Sequence, residues 1–334
     1  MSSEPSLRGE IRVGPAGWSY QDWKRIVYPE ARPRTFHEAA YLAQYFDVIE
    51  INTSFYRPLR PELARLWVRK IAWNPRFQFT AKLYRAFTHE GRLDSSDVRL
   101  YQEGLAPIAE SGRLGCVLMQ FPWSFKFNRE NRDHLIRLKR TFPDYALVAE
   151  MRHASWSLDE AIGVFIDHHI GFCNIDQPQI GHSMPPTARV TTPIGYVRLH
   201  GRNYEHWFEK GTGEPRDPNE LPHIAARYNY LYPAEELTEW KDRIEQVASQ
   251  ARSTYVVTNN HFEGKAAVNG LQLIHLLFGD LVETPPDLLN AYPELASISR
   301  NAPLQRDLFG PLSAPPRMEG QPQASYKPRS ACAV

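Results

Sequence analysis

A parallel (β/α)8 barrel is the fold class that the sequence predicts. Eight short apolar, β-branched runs alternate with longer amphipathic segments, which is the pattern of repeated βα units. The runs fit within about 250 residues, the usual size of such a barrel. No Gly-rich fingerprint follows the first run, as a doubly wound open sheet would normally require. A two-domain chain with four strands in each half is the alternative, and no linker-like composition in mid-chain supports it.

The strands are expected at Ile11 to Pro15, Asp47 to Asn52, Phe77 to Leu83, Leu114 to Pro122, Ala146 to His153, Ile170 to Asp176, Gly195 to Gly201 and Thr254 to His261. Helical periodicity marks Thr35 to Phe46, Pro61 to Trp73, Ser95 to Ser111, Asn128 to Phe142, Leu158 to His169, Ala234 to Ala251 and Gly264 to Phe278. Between strands six and seven, Pro178, Pro185, Pro186 and Pro193 predict an irregular crossing, because proline removes a backbone donor and clashes with the preceding turn. The barrel domain is expected over residues 11–300. From about Asn301 the chain is rich in Pro, Ser, Gln and Arg, so 301–334 reads as a flexible tail. Tyr204 to Pro233 forms the largest insertion, and lids are often built from such loops.

Composition limits the function classes. With 42% apolar residues among 334, the chain can build a sizeable core. Lys and Arg total 39 against 38 Asp and Glu, so no global basic field draws it onto nucleic acid or membrane. Three scattered cysteines, Cys116, Cys173 and Cys332, have neither disulfide nor metal spacing and suit a reducing compartment. The polar start and the absence of a long apolar run lead to the expectation of a soluble, cytoplasmic protein without a membrane partner.

Buried barrel strands should be apolar, so polar side chains near their carboxyl ends need a reason. Here they form a ring: Glu50 and Asn52, Lys82, Gln120, Glu150 with Arg152 and His153, Asp176, Arg198 with His200, and Asn259 with Asn260. Alternation puts Glu50 with Asn52 and Arg198 with His200 on shared faces. The expected roles are Glu50 and Glu150 as acid/base pair, the other residues binding substrate. A charge-neutralised structural plug is the competing reading. Glu50, Glu150, Asp176 and His200 are also a conceivable divalent-metal set, not favoured because no HxH or HxxxH spacing accompanies them. Gly264 and Lys265 open the last expected helix, a place where barrels often bind phosphate, although an ordinary helix start is the favoured reading of the pair.

Six pieces in order, Gly17-Trp18-Ser19-Tyr20 with Trp23 and Tyr28-Pro29, Glu50-Ile51-Asn52 with Phe55-Tyr56-Arg57, Gln120-Phe121-Pro122, Glu150-Met151-Arg152-His153 with Trp156, Arg198 through Arg202, and Asn259-Asn260 with Ala266 and Asn269, resemble the YecE-like family, domain of unknown function 72. The resemblance spans roughly Ile11 to Gly279 and implies a TIM-type barrel. It implies no reaction, substrate or cofactor. Pro15-Ala16 departs from the small polar residues that relatives tend to carry there. The aromatic residues of these motifs suit stacking on sugars or bases, or simple bracing of loops.

In the tail, Gln305-Arg306-Asp307-Leu308-Phe309 resembles the pentapeptide that docks bacterial DNA-processing proteins on the replication sliding clamp. Gln305, Leu308 and Phe309 would be its anchors. The leading functional expectation is an enzyme performing acid-base hydrolysis on a phosphate-bearing or nucleic-acid-related substrate. A carbohydrate-active hydrolase and a clamp-tethered binding protein are the alternatives.

Overall fold

The computed structural model describes residues 9–205, 207 and 226–301. Eight parallel strands are present, β1 (Glu10–Pro15), β2 (Val48–Ile51), β3 (Gln78–Lys82), β4 (Leu114–Gln120), β5 (Leu147–Glu150), β6 (Gly171–Asp176), β7 (Ile194–Leu199) and β8 (Ser253–Thr258). They follow the order β1-β8-β7-β6-β5-β4-β3-β2. The gap between β1 and β2 is bridged at Ala16 and Glu50, where Gly17 N donates to the Glu50 carbonyl at 2.8 Å. The expected barrel is therefore present and nearly closed.

Closure depends on Gly14. A Cβ at this position would lie 1.8 Å from the carbonyl oxygen of Val48, closer than any side chain could come. Only a residue without a side chain lets β2 approach β1.

The strands alternate in character, and the contacts show which face is which. Phe79 packs on Trp67 of helix Pro61–Ile71, Phe172 packs on Phe165 of helix Asp159–Asp167, and Thr258 Oγ1 donates to the Ala266 carbonyl in helix Lys265–Phe278. These residues face the helical layer. The residues between them face the barrel interior, which is filled in polar tiers. Arg12 and Tyr255 lie lowest, with the Tyr255 hydroxyl donating to Gln78. Above them Tyr196 meets Thr80 at 2.9 Å, and above these stand Glu50, Glu150 and Arg198.

The remaining expected helices appear at Glu38–Leu42, Ser95–Glu110, Arg129–Thr141 and Ala234–Ala248. The first is shorter than its periodicity suggests because Phe36 leaves the helical path for an aromatic cluster with Tyr28 and Tyr41 beside Arg32. Residues 177–193 contain no helix, as the prolines there predict. Short helices at Thr53–Tyr56, Arg85–Thr88 and Pro286–Ala291 were not expected; one turn is too short to show a periodicity. Among the described residues no helix is long and apolar enough to cross a membrane.

Replacing Gly14 with Ala is expected to destabilise the protein by about 3 kcal/mol or more, since the clash is with backbone that cannot rotate away. Thermal denaturation of G14A checks this, and a melting temperature equal to that of the parent would refute it.

Candidate active site

At the carboxyl ends of the strands, Arg198 stands between two carboxylates. One terminal nitrogen, Nη2, donates to Glu50 Oε1 at 2.7 Å, and the other, Nη1, donates to Glu150 Oε2 at 2.6 Å. All three side chains are fully buried. The second oxygen of Glu50 accepts from the Tyr196 hydroxyl at 2.8 Å. The second oxygen of Glu150 accepts from Gln120 Nε2 at 2.7 Å and Arg152 Nε at 3.0 Å, and lies 3.2 Å from His200 Nε2.

This crowding sets the protonation states. Burial by itself would raise the Glu150 carboxyl, but the Arg198 guanidinium, with His200 and Arg152, holds it well below the usual carboxylate range. His200 is pushed down to about 3, chiefly by burial and, against the pull of Glu150, by Arg198. It is neutral at working pH. Asn259 Nδ2 donates to His200 Nδ1 at 2.9 Å, so the proton resides on Nε2 and faces Glu150.

Lys82 completes the inner cluster. Its Nζ donates to Gln120 Oε1 at 3.2 Å, lies 3.9 Å from Glu50 Oε1, and rests over the Phe55 ring. Burial first, then Arg198, push its pKa down to about 8. Arg152 extends beneath Trp207, which also packs on His200. Lys82 and Arg152 keep 11% and 16% of their side-chain surface exposed, so they are the cations that a ligand in the mouth would meet.

On the β1, β2 and β8 side, Tyr20 stacks on His261 with centroids 4.2 Å apart, and its hydroxyl lies 3.5 Å from Asn52 Nδ2. Asn52 Oδ1 and His261 Nδ1 are buried atoms without a hydrogen-bonding partner. Burial, with Lys82 nearby, lowers His261 to about 4.

The structure thus brings Glu50, Lys82, Gln120, Glu150, Arg152, Arg198, His200 and Asn259 into one cluster, with Asn52 at its edge. Several lie just beyond the strands rather than within them: Asn52, Arg152, His153, His200, Asn259 and Asn260 all follow the last ladder pair, because the chain turns away as soon as pairing ends.

Three expected residues lie elsewhere. Asp176 points to the outer face, where Arg202 binds it through Nε and Nη2 and the Tyr232 hydroxyl donates at 2.6 Å. Asn260 donates to the Tyr230 carbonyl and to Asn269 of helix Lys265–Phe278. His153 caps a one-turn helix through the Ser155 amide and sits against Trp123. The proposed metal set is consequently not assembled. Asp176 is on the other face, an arginine occupies the space between Glu50 and Glu150, and among the described residues no group of three or more His, Cys, Asp or Glu side chains is placed to hold an ion.

The two carboxylates expected as an acid/base pair are both bonded to Arg198. Glu150 is ionised and surrounded by donors, so it has no proton to give and little tendency to accept one. The Gly264-Lys265 pair reads as a helix start: Gly264 is left-handed, and Lys265 bonds Asn229 and Glu263. The loop read as a lid lies mostly outside the described residues, and Gln305, Leu308 and Phe309 lie wholly outside them.

Sequence reasoning missed Tyr196, Thr80 and Trp207 as members of the site, whereas Tyr20 was among the motif aromatics read as stacking or bracing residues. For Tyr196 and Thr80 the signal was available, since each stands two residues before a ring residue and shares its face.

A nearly closed parallel barrel with a buried Arg-carboxylate cluster under a cationic mouth defines the class of protein. Residues 12–289 match the family described as protein of unknown function DUF72, and the chain belongs to that family. It is 29% identical over 283 residues to the UPF0759 protein YunF of Bacillus subtilis strain 168, covering 80% of this chain and 94% of the relative. A DUF72 family protein of Thermotoga maritima MSB8 superimposes with a TM-score of 0.68 at 31% identity, over 80% of this chain and 99% of the other. A DUF72 family protein of Enterococcus faecalis V583 gives a TM-score of 0.68 at 24% identity, over 80% and 95%.

Removing Arg198 should leave two buried carboxylates without a partner. R198M is expected to lose about 3–5 kcal/mol of stability in chemical denaturation, and a loss below about 1 kcal/mol would mean that the cluster is not held by this residue. The histidine makes a second prediction. The unfolded state protonates this residue near 6.5 and the folded state only near 3, so between these values the unfolded state binds more protons and stability falls as pH falls. His200 contributes a slope of roughly 1.4 kcal/mol per pH unit in that window. H200Q should lower the slope around pH 5 by about that amount, leave the part due to His89 and His261, and retain the further loss that begins below about 4.5 as the Glu150 contribution fades. An unchanged slope at pH 5 would contradict this assignment.

Proposed function

We propose that this protein is an enzyme that binds a small molecule carrying a phosphate or carboxylate together with free hydroxyls, and moves a proton on it at the barrel mouth. The supporting observation is the charge count of the cluster. Lys82, Arg152 and Arg198 are cationic, Glu50 and Glu150 are anionic, and His200 is neutral, which leaves one positive charge. That charge resides on the two side chains that reach the opening. An anionic group would neutralise it and replace lost water with charge-assisted hydrogen bonds.

The burial of these cations favours a compact ligand over a continuous nucleic-acid strand, whose phosphates need exposed basic side chains. The unpartnered Asn52 Oδ1 and His261 Nδ1 offer an acceptor and a second polar contact to ligand hydroxyls. Lys82, with a pKa of about 8, is the group in the cluster best matched to proton transfer near neutral pH. Glu50 and Glu150 would hold Arg198 and position the residues that meet the ligand. A glycosidase needs one protonated carboxyl and one free nucleophile facing the sugar; two carboxylates bonded to one guanidinium do not supply that.

Titration calorimetry with inorganic phosphate, glycerol 3-phosphate and glycerol tests the proposal. Binding of the two phosphates but not glycerol is expected, weakened about tenfold or more in R152Q by loss of a charge-assisted hydrogen bond. Equal binding of glycerol and glycerol 3-phosphate, or unaltered phosphate affinity in R152Q, would overturn it.

A further inference from the structure

We propose that Lys82 is a nucleophile that forms an imine with the carbonyl group of its substrate, so that the ligand class is a small phosphate- or carboxylate-bearing aldehyde or ketone. This rests on the anion-binding reading above and assigns to the same site a covalent step.

The case begins with the backbone. The Lys82 carbonyl accepts from Ser54 Oγ at 2.7 Å and from the Tyr101 hydroxyl at 2.9 Å. The next amide, Leu83 N, is bonded to the Leu118 carbonyl at 2.8 Å. Three bonds from three different segments fix this one peptide at the top of β3, more than a passive surface lysine would need. Nucleophiles in designed and natural sites alike depend on such support.

The side chain is held just as specifically. Gln120 Nε2 is committed to Glu150, so its oxygen is turned toward Lys82 Nζ. Phe55 covers one side of the amine. No carboxylate approaches within ordinary hydrogen-bonding distance, the nearest being Glu50 Oε1 at 3.9 Å. The charged groups whose fields reach Lys82 are Arg198, Glu50, Glu150 and Arg152, and Lys82 in turn acts on His89 and His261, both neutral with values near 4. A buried amine that feels the fields of Arg198 and Arg152, and whose nearest carboxylate, Glu50, stays 3.9 Å away, is more easily freed for attack than a surface ammonium. With a pKa of about 8, roughly a tenth of the side chain is the free base at pH 7.

The step balances without any co-reactant. The neutral amine nitrogen adds to the carbonyl carbon, and the carbonyl electron pair moves to oxygen, which takes up the proton released from nitrogen. The nitrogen lone pair of the carbinolamine then forms the C=N bond as the C–O bond breaks, and the departing hydroxyl takes the remaining N–H proton to leave as water. One amine and one carbonyl give one imine and one water, with no change of oxidation state. Arg152 meets the anionic group of the ligand, and Asn52 and His261 lie on the side where its hydroxyls would be received.

The test uses the intact protein incubated with dihydroxyacetone phosphate, pyruvate or glyceraldehyde, reduced with borohydride and mapped by peptide mass spectrometry. A secondary-amine adduct at Lys82 is expected, with Lys82 modified about tenfold or more above any other lysine at pH 7, given the distance between its pKa and that of a surface lysine. Adducts spread over surface lysines, or none at Lys82, would overturn the proposal. The two readings fail separately. Phosphate binding without trapping at Lys82 rejects the imine and leaves the anion site intact. Trapping of glyceraldehyde at Lys82 by a protein that does not bind phosphate supports the imine and rejects the anion site. In the unreacted protein, the rate of Lys82 acylation should rise with a midpoint near pH 8, and a midpoint above pH 10 would count against it.

Discussion

The fully buried guanidinium of Arg198, bonded to Glu50 on one side and Glu150 on the other, is the constraint around which this barrel is organised. A buried ion pair gains little by itself, because the cost of leaving water nearly cancels the attraction. Once one member is present, however, the others become obligatory, since each alone would be an uncompensated charge in a low-dielectric interior. The three residues come from β2, β5 and β7. The cluster therefore ties together strands that are not neighbours in the sheet, across the interior of the barrel.

The rest of the mouth follows from satisfying that cluster. Glu150 needs further donors, and Gln120, Arg152 and His200 provide them. Gln120 then has a free oxygen that fixes Lys82, and His200 has a free Nδ1 that fixes Asn259. Tyr196 and Thr80 serve Glu50 from below in the same way. Each polar side chain thus has its orientation set by the one before it, and the chain of bonds ends at the two half-open cations and the unpartnered atoms of Asn52 and His261. What reaches solvent is a small remainder of a large, self-neutralising interior.

Much of this could be read from the residues in order. Eight runs and seven amphipathic segments located the strands and helices because a parallel barrel alternates its two periodicities strictly. The ring was visible because charged residues interrupt buried runs where packing alone would place Val or Ile. What the residues alone left open was direction between strands. Asp176 and Asn260 look like the others in one dimension, yet each lies on the outer face, and Asn260 is one position out of step with Asn259. Parity within a strand can be counted, but the parity of one strand against the next depends on register, which only the folded barrel fixes. The protonation states were hidden for a related reason, since Glu150 looks like an acid/base candidate until Arg198, 48 residues away in sequence, is found beside it.

The outer polar network has its own consequence. Asp176, Arg202, Tyr232, Asn269 and Asn260 join β6, β7 and β8 to helix Lys265–Phe278 with bonds that share no side chain with the inner cluster. The scaffold that supports the rim is therefore wired separately from the groups that would do chemistry. A rearrangement of bonds among the inner groups when a ligand arrives therefore has no shared side chain through which to disturb the framework of the rim.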